Sequence, residues 1–383
     1  MSRGTIIRRG KASWRLKFDV PSDTPGERET KYVTVRGKRV DAERELVRLL
    51  SASHAGTLVE PSRTTLAEYL RAWLDGEHDL SPKTRERYRE LCEAQIIPHL
   101  GTITLQRLRP ARLAEWHETL LKSGGKSGRA LSARTVGHAH RVLHTALERA
   151  VKLEAISRNV ASVVPPPKVN APEIEILDAR QVAIVLERLE GHPLFTIVAL
   201  ALATGLRRGE LLALRLTDIR FDQGLLRVER TLEDTRDGGL RFKAPKSKAG
   251  RRSLALPQTS LDTLREHRRE LLQTRLLLGM GKPDDDTLLF GKLDGSPRKP
   301  NSLTTAWRRA CITLDLPKVS FHALSHTHAS ALIAAKLDIV RISRRLGHAK
   351  PSITLNTYAH LFDTDDREAA SAIDALMGSK SEQ

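Results

Sequence analysis

Five residues in the C-terminal half, Arg207, Lys246, His322, His348 and Tyr358, have the types and the order that phosphodiester chemistry requires. They stand in four short motifs: TGLRRGE (204–210), PKSKAGRR (245–252), HALSHTH (322–328) and LGHAKPSITLNTY (346–358). A tyrosine hydroxyl can attack phosphorus, cations can hold the phosphate as charge builds on it, and a positioned acid can protonate the leaving 5′-oxygen. Tyr358 is one of four tyrosines and the only one beyond residue 88. Each motif alone is weak: TGLRRGE also reads as a surface Arg–Glu helix pair, loop lysines are commonly solvated, and a lone tyrosine is commonly structural. Their joint occurrence in this order carries the reading.

Each of these residues needs an element to aim it. Thr204 to Glu210 closes an apolar helix, and Arg207 and Glu210, three apart, share a helix face, so the carboxylate can fix the guanidinium plane while Arg208 points elsewhere. Residues 225–257 read as strands: LLRVERTL alternates, Gly238 and Gly239 form a turn, and RRSLALP closes the sheet. Lys246 and Lys248 fall in the connecting turn, where a lysine at a hairpin tip can reach the minor groove beside a scissile phosphate. Gly347 ends the helix before His348. On a helix His322 and His326 share a face and His328 is turned away. These three histidines have partial metal-ligand spacing, but no nearby cysteine or carboxylate completes a set, so no metal or cofactor is expected and His326 and His328 read as packed, hydrogen-bonded core residues.

The N-terminal half reads as scaffold and grip. In residues 1–55, Trp14, Leu16, Phe18 and Val20 alternate with polar neighbours as in a strand, and Tyr32 to Val35 suggest another. PSDTPGE between them is a turn, and a helix from about Asp41 carries Leu46, Leu49 and Leu50. Cations such as Arg8, Arg15, Lys17 and Lys31 stud the strands; they suit a DNA groove or an ordinary solvated face. Residues 64–165 read as helices. Thr64 or Thr65 caps the first, with Leu66, Tyr69, Leu70 and Trp73; Ser81 and Pro82 start the next, ended by Pro98 and Gly101. Pro110 starts a third, KSGGKSGRALS (122–132) is a flexible connector, and Ser132 caps a last long helix with Val136, His140, Leu143 and Leu147. Arg134, His138 and Arg141 on it face phosphates or solvent. VVPPPKVNAPEIEI (163–176) is the clearest linker, because consecutive prolines cannot continue a helix. Asp178 then caps a new helix.

The chain has 383 residues and a formal net charge of +18, which calls for a polyanionic partner but does not choose DNA over RNA. Cys92 and Cys311, far apart and outside any CxxC motif, fit a reduced cytoplasmic setting. The start MSRGTIIRRGK lacks the apolar stretch of a signal peptide, and the longest apolar run, Phe195 to Leu202, reads as a buried helix rather than a membrane span.

Taken together the four motifs resemble the tyrosine recombinase family, the integrases of temperate phages and integrative elements. The resemblance implies a multidomain fold: a small α+β arm-type DNA-binding module (1–60), an all-α core-binding domain (64–165), a linker (166–176) and a mainly α catalytic domain with a small antiparallel β-sheet (177–383). It also implies site roles. Arg207 matches the first phosphate-binding arginine. Lys246 matches the hairpin lysine, with Lys248 as fallback. His322 opens the H-x-x-R box, His348 is the second histidine and Tyr358 is the nucleophile. The expected partners are double-stranded DNA attachment sites, a homotetramer on DNA, a host DNA-bending protein and an excisionase, in a bacterial cytoplasm beside the nucleoid.

One position departs from the pattern. Ser325 stands where the H-x-x-R box has its arginine. A short neutral hydroxyl does not replace a permanently charged, forked donor, and losing one such donor typically costs ~10²–10³ in rate. The expectation is therefore a site-specific recombinase with an impaired or inactive centre. The alternatives are a catalytically weak or non-catalytic DNA-binding relative and a type IB topoisomerase-like enzyme.

Overall fold

In the computed structural model, residues 4–21, 28–54, 61–76, 79–169, 174–245, 247–362 and 367–378 are described. The chain divides into two units, residues 1–171 and 172–383.

The first unit opens with strands β1 (Thr5–Gly10), β2 (Ser13–Pro21) and β3 (Arg28–Arg36), an antiparallel meander in that order. The period-two pattern puts Leu16, Phe18 and Val20 on a buried face, closed by Ala42, Leu46 and Leu49 of helix α1 (Arg39–His54). The sequence pattern does not reveal β1, whose side chains are exposed apart from one position and so show no alternation. The PSDTPGE turn lies mostly outside the described residues. Arg15 sits over the Tyr32 ring at 5.1 Å and Arg8 over Trp14 at 6.0 Å.

A second core follows, built by α2 (Leu66–Gly76), α3 (Pro82–Leu91), α4 (Ile97–Leu100), α5 (Pro110–Ser123) and α6 (Ala133–Lys152). Leu70, Trp116, Leu143 and Leu147 are fully buried in it. Thr65 and Glu68 form a reciprocal cap at the start of α2: the Thr65 N–H donates to Glu68 at 2.8 Å and the Glu68 N–H to Thr65 Oγ1 at 3.3 Å. Ser81 and Ser132 cap α3 and α6 through the Thr84 and Thr135 N–H groups, both at 3.3 Å.

Two expectations fail here. Pro98 does not end its helix: a π-type turn (Cys92–Ile96) resets the register, and Pro98 falls in the first turn of α4, where a missing N–H costs nothing. Residues 122–132 are not a loose connector. They fold back on themselves, with Gly125 N–H to the Arg129 carbonyl at 2.7 Å and Leu131 N–H to the Leu120 carbonyl at 3.1 Å.

The second unit begins with α7 (Ala179–Arg188), capped reciprocally by Asp178 and Gln181, then α8 (Phe195–Thr204) and the short α9 (Arg208–Leu211). Strands β4 (Ile219–Arg220), β5 (Leu225–Val228), β6 (Thr231–Thr235), β7 (Gly239–Lys243) and β8 (Arg252–Ala255) follow. Helices α10 (Gln258–Leu277), α11 (Pro300–Thr313), α12 (Ala323–Ala334), α13 (Ile339–Leu346), α14 (Pro351–Tyr358) and α15 (Arg367–Gly378) complete the chain. Its main core gathers α8, the strands and Trp307 of α11; a smaller one joins Ala329 and Ile333 of α12 to Ile342 and Leu346 of α13 and to Tyr358. Ile373 and Met377 of α15 are exposed.

The strands do not form one sheet. β5 pairs with β4 and β8, and β6 pairs with β7. LLRVERTL breaks between β5 and β6 at Arg230, whose guanidinium is held at 2.6 Å by the buried Asp218 carboxylate. β7 and β8, the strands on either side of the PKSKAGRR motif, therefore belong to different sheets and do not pair with each other. Among the described residues no helix is long and apolar enough to cross a membrane.

Candidate active site

The site begins where α8 stops. Gly205 ends that helix with φ of 68°, and a Cβ there would lie 2.7 Å from the His328 ring, so the turn needs glycine. Two residues later Arg207 caps α9. Glu210 accepts the Arg207 N–H at 3.0 Å and its guanidinium at 2.9 Å. Arg252 of β8 donates to the same carboxylate at 3.0 Å. Glu210 is buried, which would push its carboxyl up, but Arg252 and Arg207 hold it below the usual carboxylate range. The carboxylate thus orients both cations, while the Arg207 side chain remains partly exposed.

The other side of the site comes from α12, α13 and α14. His322 precedes α12, and its ring meets the His326 ring edge-on, centroids 4.6 Å apart. His326 Nδ1 lies 2.6 Å from the Tyr358 hydroxyl. Gly347, at φ of 66°, turns the chain after α13, and His348 Nδ1 lies 2.8 Å from Thr354 Oγ1. Burial, then Arg207, hold His322 and His348 below the usual imidazole range, His348 at about 4. Burial pushes the Tyr358 phenol up to about 12, with Arg207 pulling the other way. The charge of Arg207 thus acts on His322, His348 and Tyr358, and the His326 ring links His322 to the Tyr358 hydroxyl.

Ser325 is the third residue of α12. It is buried, and its hydroxyl donates to the Gly205 carbonyl at 2.7 Å. Of the arginines near it in sequence, Arg341 pairs with Asp338 at 3.1 Å. Arg345 donates to His328 Nε2 at 3.0 Å and to the Ala203 and Ala255 carbonyls at 3.2 Å. Lys246 lies outside the described residues; Lys248 is exposed, in a single turn before β8. Among the described residues no group of three or more His, Cys, Asp or Glu side chains could hold a metal ion.

Sequence reasoning misses two contributors. His326 reads as a core histidine, yet it touches the Tyr358 oxygen. Arg252 enters only as the last residue of the PKSKAGRR motif, and that terminal arginine is the signal for it.

Comparison with known proteins decides the family. The phage integrase family model matches residues 176–365, and that of the phage integrase N-terminal SAM-like domain matches residues 65–121. The chain belongs to the phage integrase family of tyrosine recombinases. A relative described as "Tyrosine recombinase XerC-like", from Caldanaerobacter subterraneus subsp. tengcongensis, is 25% identical over 97% of this chain and 98% of its own. The Tn1549 transposon integrase, solved with a circular intermediate DNA, shares the fold over 82% of this chain and 99% of its own, with TM-score 0.67 and 20% identity. A lambda integrase tetramer bound to a Holliday junction does so over 91% and 92%, with TM-score 0.57 and 17% identity. The similarity to that integrase extends to a fold with a small sheet-and-helix module, a helical domain and a mainly helical catalytic domain with small antiparallel sheets.

Proposed function

We propose that this integrase recombines an element's attachment site with a chromosomal one, cutting each strand through Tyr358. The phenolic oxygen attacks the scissile phosphate, giving a 3′-phosphotyrosyl link and a free 5′-hydroxyl, which then attacks the link on the partner strand. Arg207, steadied by Glu210, binds the phosphate together with His322 and His348. Lys246 protonates the leaving 5′-oxygen, with Lys248 as the alternative if the 244–251 segment presents it instead. The ester conserves the bond energy, so the strand exchange needs no ATP.

The observation that carries this reading is the contact chain from His322 through His326 to the hydroxyl of a tyrosine at the end of α14, with the charge of Arg207 acting on that tyrosine. The solved lambda integrase tetramer on a Holliday junction supports four copies of this chain exchanging strands pairwise. The basic sheet β1–β3 is assigned to distant arm-type sites and α2–α6 to the core site. A host bending protein and an excisionase complete the assembly. Ser325 supports a second reading, a relative that binds sites but cleaves them slowly. The distinguishing measurement is single-turnover cleavage of a nicked suicide substrate. The chain should trap a covalent adduct that Tyr358→Phe abolishes with DNA affinity almost unchanged; an adduct of normal yield in that variant sinks the nucleophile assignment.

A further inference from the structure

We infer that His326 is a catalytic residue, the proton acceptor for Tyr358: its Nδ1 takes the phenol proton as the oxygen attacks phosphorus. This rests on the recombinase reading above and goes beyond it, since none of the family motifs gives His326 a role there.

The Tyr358 hydroxyl and His326 Nδ1 are 2.6 Å apart, and among the described residues no other side chain hydrogen-bonds that oxygen. His348 is engaged with Thr354, and His322 meets the His326 ring rather than the phenol. Position within hydrogen-bond reach of the proton is the first requirement of a general base. His326 is also held in place. It stands in the first turn of α12, its ring packed edge-on between His322 at 4.6 Å and Tyr358 at 5.7 Å. With the phenol as donor, Nδ1 is the bare nitrogen and the remaining ring proton is on Nε2.

Burial, then His322 and His348, hold the imidazole down at about 4, and burial holds the phenol up at about 12. In the DNA-free protein the proton therefore stays on Tyr358, which is itself almost wholly covered. A phosphodiester seated on Arg207 brings a negative charge that favours an imidazolium, so transfer accompanies formation of the oxygen–phosphorus bond. The step balances. The Tyr358 proton passes to His326, the phenolic electron pair forms the bond to phosphorus, the bond from phosphorus to the 5′-oxygen breaks, and that oxygen takes a proton from Lys246 or Lys248. Rejoining returns each proton to its source.

The test is single-turnover adduct formation on two suicide substrates, one with the natural 5′-oxygen and one with sulfur at that atom, which leaves without being protonated. His326→Ala should slow both by at least ~10²-fold at unchanged DNA affinity. Added imidazole should restore part of the rate. His326→Asn, whose amide oxygen can accept the phenol hydrogen bond but cannot take the proton, should be as slow as the alanine variant. Lys246→Ala or Lys248→Ala should be slow on oxygen and recover on sulfur. If His326→Asn reacts at the parent's rate, His326 only positions the phenol and the proposal falls. If His326→Ala recovers on sulfur, it serves the leaving group instead and the proposal also falls. If the parent itself makes no adduct on the sulfur substrate, the recombinase reading fails and takes this proposal with it.

Discussion

At the scale of single residues, Ser325 is the position on which the proposal of a slow centre rests. Its hydroxyl gives a neutral hydrogen bond to the Gly205 carbonyl, two residues before Arg207. The position is thus next to the turn that carries Arg207, and it is occupied by a group without charge. Arg345, on the neighbouring helix, is engaged by His328 and two backbone carbonyls and does not take its place. Ser325→Arg should supply the missing cation and raise single-turnover cleavage of a suicide substrate by ~10²-fold or more. DNA affinity at matched salt should change far less, because it sums many phosphate interactions. Ser325→Lys should recover only part, since an ammonium cannot make the forked contact. Cleavage by Ser325→Arg no faster than the parent's would mean that the site is not impaired at this position.

At the scale of elements, the same hydrogen bond belongs to a clamp. An apolar helix such as α8 ends with unpartnered carbonyls that must be satisfied without water. Three side chains supply the donors: Ser325 reaches Gly205, His328 Nδ1 reaches Leu202 at 2.8 Å, and Arg345 reaches Ala203. This joins α12 and α13 to the helix that leads into Arg207. Because His328 Nδ1 faces a carbonyl it carries the hydrogen, and Nε2 is left to accept from Arg345, so the ring must be neutral. Burial, then Arg345, push it down to about 4. An unfolded imidazole titrates near ~6.5, so between that value and about 4 the unfolded chain holds more protons, and stability falls as pH drops through this window. The urea midpoint should be level above neutrality and fall steadily below it. His328→Asn keeps an amide donor for Leu202 but does not titrate, so its decline should be shallower. The slope that remains belongs to the other groups whose protonation folding opposes, among them His140, His326 and His348, each also held at about 4, and His117, His138 and His322, held down chiefly by burial. Parallel curves for parent and variant would show that His328 is not held neutral.

These elements also show what the sequence could reveal. Arg207, His322, His348 and Tyr358 are legible because each sits at a fixed place in a short local pattern: a glycine turn, a helix start, a helix end. Helix caps at Ser81, Ser132 and Asp178 are legible for the same reason. The clamp is not, because Ser325 and Gly205 are far apart in the chain and no local signal pairs a hydroxyl with one distant carbonyl. Nor is the partner of β7. The alternation in residues 225–257 identifies strands, but it does not say that β6 pairs with β7 and β5 with β8, on either side of Arg230, which reaches back to Asp218. His326 looks like core because burial and catalysis place the same demand on a histidine: a fixed, neutral ring.

At the scale of the whole molecule, a net charge of +18 is spread along the chain, and the separate cores explain how it is divided. Leu16, Phe18, Val20, Ala42, Leu46 and Leu49 close the N-terminal module without help from α2–α6, whose own core runs from Leu66 to Ala161. A fragment from residue 64 onward should therefore fold, because it keeps every member of that second core. On the opposite face of the small sheet Arg15 lies over Tyr32, and at one end of it Arg8 lies over Trp14. These cations are already ordered on aromatic rings, a stiff surface for a DNA groove. If this surface grips arm-type sites, the full chain should protect two classes of sequence on one attachment-site DNA, and the fragment only the core class. Deleting the module also deletes the phosphates it neutralises from the count that sets the salt dependence of binding. The fragment's affinity should therefore fall less steeply as salt rises. Footprints of the two proteins at matched salt measure the first effect and a salt titration the second. Identical protected regions would show that the module is not an arm binder. A changed salt slope with identical footprints would make it a sequence-blind tether, and the division of labour between arm and core would have to be abandoned.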